Sequence, residues 1–211
     1  MSSATHLRVS HVVPLSFVDG PGARTSLYLR GCSIGRSSPC KGCQSPHLFA
    51  DEGGDIREVG SLAAELLSTG LPVTLIGGEP LDQSAALLSL LLILKANERH
   101  VIIYSGYTVE ELSLREDEVQ GCLMLADVLV DGRFEQDKDD PFLQWRGSRN
   151  QRPINLLASW QAGYPVLEQG WDTPTIMITQ AGDILGAEGL IDLLAEDGDE
   201  VKGARRCGQT R

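Results

Sequence analysis

Apolar and polar positions follow two rhythms along this chain, and the rhythms take turns. Leu7–Phe17 and Thr25–Arg30 read as strands. Val59, Leu62, Ala63, Leu66 and Leu67 then recur at helical spacing and stop at Gly70, a natural C-terminal cap. Val73–Ile76 is a short apolar run of the kind that forms a buried strand, closed by Gly77-Gly78-Glu79-Pro80. Asp82 can cap the leucine-rich helix that continues to about Ala96. Val101–Tyr104 is the next strand, and Thr108 and Glu111 are spaced as a capping box for the helix behind it. Asp127–Val130 extends the strand series; Thr175–Thr179 adds a later strand, with a turn at Gly182-Asp183. Residues 133–173 show no clear period, and Glu196–Arg211 is polar and glycine-rich, a tail expected to fray.

Strand–helix–strand alternation predicts an α/β fold with a parallel sheet and crossover helices. One domain over about residues 1–195, followed by a flexible tail at 196–211, accommodates the pattern. Ligands of such sheets bind beyond the carboxyl ends of the strands. Four segments directly follow predicted strands: a cysteine-bearing loop, Gly77–Pro80, Tyr104-Ser105-Gly106 and Asp131-Gly132. They are expected to meet at one edge of the sheet.

Composition narrows the function classes. At 211 residues and 42% hydrophobic content there is ample material for one core. A net charge of −11 argues against a basic nucleic-acid-binding face and against anionic membrane surfaces. The most apolar stretch, Ala85–Leu94, is too short to span a bilayer. The first residues lack a basic start followed by an apolar core, so no signal peptide is expected. Five cysteines, three of them in one loop, speak against a disulfide framework. The expectation is a reducing cytoplasm, with no nucleic acid and no membrane as partner.

The chemistry lies in "LRGCSIGRSSPCKGCQSPHLF", residues 29–49. Cys32, Cys40 and Cys43 can hold a [4Fe–4S] cluster with one iron left free of protein. With His47 as a fourth ligand they can instead form a structural zinc site. The loop alone leaves both open. Cys122 sits in an apolar helical stretch and reads as a small buried hydrophobe, and Cys207 lies in the tail.

The stretches "VDGPGARTSLYLRGC", "CKGCQSPHLF", "GGEP", "YSGYTVEEL", "DVLVDGRF" and "WRGSRNQR" occur in one order over about Arg8 to Leu156. Together they resemble the radical S-adenosylmethionine (SAM) activases of glycyl-radical enzymes, above all those of anaerobic ribonucleoside-triphosphate reductase. The resemblance implies a compact partial (β/α) barrel. It implies that Cys32, Cys40 and Cys43 bind one [4Fe–4S] cluster whose open iron is chelated by SAM. It further places Gly78 and Glu79 at the SAM amino group, Ser105 with Gly106 near its ribose or carboxylate, and Asp131 beside a monovalent cation. The implied partners are a glycyl-radical enzyme and a flavodoxin or ferredoxin-type electron donor.

Each supporting motif also has a plainer reading: a strand-end turn for Gly77–Pro80, a helix entrance for Ser105, a strand-end cap for Asp131. The arginines of "WRGSRNQR", Arg146, Arg149 and Arg152, face a partner or merely solvent. Asp19–Arg24 reads as a tight structural turn. The chain also departs from the family pattern. Seven residues, not three, separate Cys32 from Cys40, and Ile34–Pro39 is expected to bulge outward. Gly42 stands where a bulky residue is usual, and Gln44-Ser45-Pro46 replaces an aromatic-Asn-Pro. The competing functions are a radical SAM enzyme acting on a small molecule or peptide, such as the 7-deazaguanine ring-contraction enzymes, and a non-enzymatic zinc-binding domain.

Overall fold

The strand-like segments from Leu7 to Val130 become strands and share one sheet. In the computed structural model, which describes residues 5–171 together with 177–178 and 184–185, β1 (His6–Ser16) and β2 (Arg24–Leu29) form an antiparallel hairpin. β3 (Asp55–Glu58) pairs with the outer side of β1. β4 (Val73–Gly77), β5 (Val101–Tyr104) and β6 (Val128–Asp131) follow β2 in parallel. β7 (Arg152–Asn155) and β8 (Val166–Leu167) close the series antiparallel, giving the order β3-β1-β2-β4-β5-β6-β7-β8. The register aligns Leu29 with Gly77 and Tyr104 with Val130, so the parallel strands deliver their carboxyl ends to one edge.

Helices α1 (Ser33–Ser37), α2 (Val59–Ser68), α3 (Ser84–Ala96), α4 (Val109–Leu112), α5 (Asp117–Leu125) and α6 (Leu156–Ala162) fill the connections. Alternation along the strands sorts two faces. Leu27, Leu29, Val73, Leu75, Val101, Ile103 and Leu129 pack with apolar residues of α2, α3 and α5 in the main core. Ile102, Val128 and Val130 point the other way and gather with Tyr104, Trp145 and Trp171. Leu87, Leu90, Leu91 and Leu94 of α3 are fully buried, at roughly 1.5–3 kcal/mol for each such side chain. Among the described residues, no helix is long and apolar enough to cross a membrane.

Local signals were sound where they were local. Gly70 sits at φ +71 just past α2 and its amide returns to the Leu67 carbonyl. Thr108 and Glu111 form both bonds of the capping box. Cys122 is fully buried on α5.

Three expectations need correction. Asp82 does not cap α3: a 3-10 turn at Pro80–Gln83 intervenes, and α3 starts after Gln83 without a side-chain cap. The region 133–173 is not irregular throughout, since β7, α6 and β8 lie inside it. The added residues between Cys32 and Cys40 do not simply bulge outward. They form α1, with Ile34 and Gly35 buried and only Arg36–Pro39 exposed.

The chain divides into two compact units, Met1–Trp171 and Asp172–Arg211. In the second, the described residues are an antiparallel pair, β9 (Met177–Ile178) and β10 (Ile184–Leu185). The rest of the expected strand at Thr175–Thr179, the turn at Gly182-Asp183, Cys207 and the tail at 196–211 lie outside the described residues.

Candidate functional site

The cysteine loop starts at the carboxyl end of β2 and is tied down at both ends. Gly31 N donates to Leu48 O (2.9 Å) and Cys32 N to Phe49 O (3.1 Å), so the loop's last residues hold its first. Cys32 is the N-cap of α1, its sulfur accepting from Gly35 N at 3.2 Å. Ser33 donates its amide and hydroxyl to the Asp82 carboxylate, at 2.6 and 2.8 Å. Cys43 N donates to Cys40 O (3.2 Å), closing the short turn between the other two thiols.

The turn after β4 is sewn to the same backbone. Gly78 N donates to Leu29 O and Glu79 N to Gly31 O, at 2.9 and 2.8 Å. A Cβ at Gly78 would stand 2.1 Å from the Gly31 carbonyl oxygen, so only glycine permits this approach. Glu79, 1% exposed, accepts from Ser105 Oγ (3.0 and 3.1 Å), Gly106 N (2.8 Å) and Leu81 N (3.1 Å), bracing the end of β4 against the end of β5. Burial pushes its carboxyl up to about 7 in spite of those donors.

These pieces line one cavity of ≈ 380 Å³: the three cysteines, the turn Gly77–Glu79, and Ser105 with Gly106. Burial raises the Cys32 thiol to about 11, with further upward pushes from Glu79 and Asp82, and burial also raises Cys40. The bare Cys32 and Cys40 thiols are therefore neutral at pH 7 and need a cationic group beside them to ionise. The donor set fits a cluster. Among the described residues, no three His, Cys, Asp or Glu side chains converge as a single ion requires, whereas an iron–sulfur cube takes each thiolate at a separate iron. His47 is exposed and stands outside the cavity wall.

Asp131 is not brought to that wall. It is fully buried, accepts from Val109 N at 2.7 Å, and is clamped by Arg152 at 3.0 and 2.6 Å. Arg152 also grips Glu110 (3.1 and 2.7 Å) and holds its carboxyl down at about 2. The other two arginines part company with it. Arg149 pairs with Asp140 on the surface, and Arg146 lines the cavity. The polar residues between them knit the loop: Gln151 Oε1 accepts from Gly147 N and Ser148 N, and Asn150 Nδ2 donates to Arg133 O.

Sequence reasoning gave no role to Asp82 as a partner of Ser33, nor to Phe134 and Trp145 on the cavity wall. Phe134 and Trp145 were visible only as letters inside "DVLVDGRF" and "WRGSRNQR". Asp19, within the turn read as structural, also reaches the cavity and accepts from Ser16 Oγ and Tyr28 Oη at 2.7 and 2.9 Å. Arg24 of the same turn is buried on Thr74 Oγ1 and Val73 O, both at 2.7 Å.

Parallel strands gather three thiols at the carboxyl edge of the sheet, and residues 18–154 match the family described as "4Fe-4S single cluster domain", which gives the class. The anaerobic ribonucleoside-triphosphate reductase-activating protein of Vibrio cholerae is 35% identical over 153 residues, 65% of this chain and 91% of that protein. The proteins of the same name from Pasteurella multocida and Escherichia coli K12 are 34% identical over 149 residues and 31% over 148. Each alignment takes in 65% of this chain, and 90% and 92% of the relative. The chain belongs to this family, the anaerobic ribonucleoside-triphosphate reductase-activating proteins with their single-cluster domain.

Proposed function

We propose that this protein is a radical SAM enzyme that installs a glycyl radical on an anaerobic ribonucleoside-triphosphate reductase. The observation that carries the reading is that Cys32, Cys40 and Cys43 share one cavity wall with Gly78, Glu79 and Ser105. In this reading the three cysteines hold a single [4Fe–4S] cluster, and the parallel strands β2, β4, β5 and β6 form the core of a partial barrel. Bound there, cluster and SAM together supply a one-electron cleavage of a carbon–sulfur bond, and with it the hydrogen abstraction from a glycine Cα of the reductase.

The chain's own residues have simpler tasks. The Gly77-Gly78 backbone lets a ligand come close, Glu79 meets an ammonium with negative charge, and Ser105 holds Glu79 in place. Arg146 and Trp145 form the rim that the reductase approaches. The electron comes from a flavodoxin or ferredoxin-type donor, and the reaction belongs to the cytoplasm.

Anaerobic reconstitution tests the reading. About four iron and four sulfide per chain are expected. Cys32→Ala, Cys40→Ala and Cys43→Ala should each abolish 5′-deoxyadenosine formation from SAM, while His47→Ala spares it. Stoichiometric zinc without iron, lost on changing His47, would overturn the assignment.

A further inference from the structure

The segment between β6 and β7 turns back across the cysteine loop, and one residue in it touches both that loop and the cavity rim. Phe134 lies on the cavity wall. Its ring is wedged between two glycines: a Cβ at Gly42 would stand 3.2 Å from Cε1, and one at Gly147 only 2.8 Å from Cδ2. Gly42 belongs to the turn between Cys40 and Cys43, and Gly147 follows Trp145 and Arg146. Behind the ring, Gly147 N donates to Gln151 Oε1 (2.8 Å) and Glu135 N donates to Ser148 Oγ (3.2 Å). Held from behind in this way, Gly147 passes its position on to the ring.

We infer that Phe134 is a positioning residue for the cluster: its ring couples Gly147 of the rim to Gly42 of the cysteine loop. The inference rests on the cysteines being cluster ligands, and it assigns the space left by the small Gly42 to a ring from the loop after β6. Water near a cluster stabilises its more negative, reduced form, and an apolar ring pressed on the turn between two ligands limits that water. This influence on the reduction potential passes through the ring.

The test uses the reconstituted full chain, with the cluster's midpoint potential read by anaerobic titration and electron paramagnetic resonance. Gly147 has no positive φ, so Gly147→Ala is free of backbone strain and acts by pressing on the ring. It touches no cysteine. The midpoint should fall by the equivalent of a three- to tenfold change in the reduction equilibrium, tenfold being about 59 mV for one electron. Phe134→Leu loses the wedge. It should speed iron release to a chelator at least threefold, and it carries the test alone if Gly147→Ala does not fold. Wild-type potential and release rate in the folded variants would overturn the inference while the cluster assignment stands. A wild-type chain that takes up no iron would overturn the assignment itself.

Discussion

Glu79 combines a negative charge with a site that resists it. Its three kinds of donor, Ser105 Oγ, Gly106 N and Leu81 N, favour the carboxylate, yet burial prevails and the group titrates at about 7. An unfolded glutamate releases its proton near 4.5, so between 4.5 and 7 the folded chain keeps a proton that the unfolded chain has lost. Stability from this group is therefore complete below about pH 4.5 and falls as pH rises to 7, by roughly 3 kcal/mol at 1.36 kcal/mol per unit. In the metal-free protein, Glu79→Gln should gain about that much on the wild type between pH 5 and pH 8, measured by urea unfolding. Parallel curves for the two proteins would remove Glu79 as a near-neutral titrant. The isosteric change is a cleaner probe of ligand binding than Glu79→Ala, which would strand the Ser105 hydroxyl and two amides. It should weaken SAM affinity about ten- to a hundredfold, the worth of one charge-assisted contact.

Among the elements, α1 depends on a residue from elsewhere in the chain. Its first amide and hydroxyl both end on Asp82, 49 positions away, where Tyr107 Oη meets the same hydroxyl at 2.8 Å and Arg115 lies 3.8 Å from the carboxylate. Asp82→Ala leaves the Ser33 amide without its acceptor, at about 1–3 kcal/mol. Hydrogen exchange should rise at least tenfold in α1 and stay unchanged in β4–β6, and the reconstituted variant should hold less iron. Unchanged exchange in α1 would show that Cys32 alone supports the helix. The same residue marks where sequence reading ends. An Asp shortly before a helical stretch looks like a cap, because the visible rule is local, whereas its real partner sits across the sheet. Gly70 and the Thr108–Glu111 box were legible because each is settled within a few residues. β7 was not, since a four-residue strand containing Pro153 has no period of its own and exists through its pairing with β6. The cysteines and the turns that meet them were legible from their place after strands; Phe134 was not, because only the path of the loop after β6 brings it back.

At the scale of the whole molecule, the three arginines that read as one patch serve three regions. Arg152 neutralises the fully buried Asp131 and joins β7 to β6 and α4 through Glu110. Arg152→Ala strands a buried charge and should cost about 3 kcal/mol, the lower end of the range because the arginine is itself a third exposed. Arg149→Ala, at a pair whose arginine is 74% exposed, should cost less than about 0.5 kcal/mol. Equal losses in urea unfolding would contradict this division. A probe of partner docking should therefore change Arg146 alone. The molecule's plan also has a timetable. Cys43 leaves the ribosome some ninety residues ahead of Phe134, and at about 5–20 residues per second the thiols wait roughly 5–20 s for that wall to arrive. A chain made in air meets oxygen before its pocket exists.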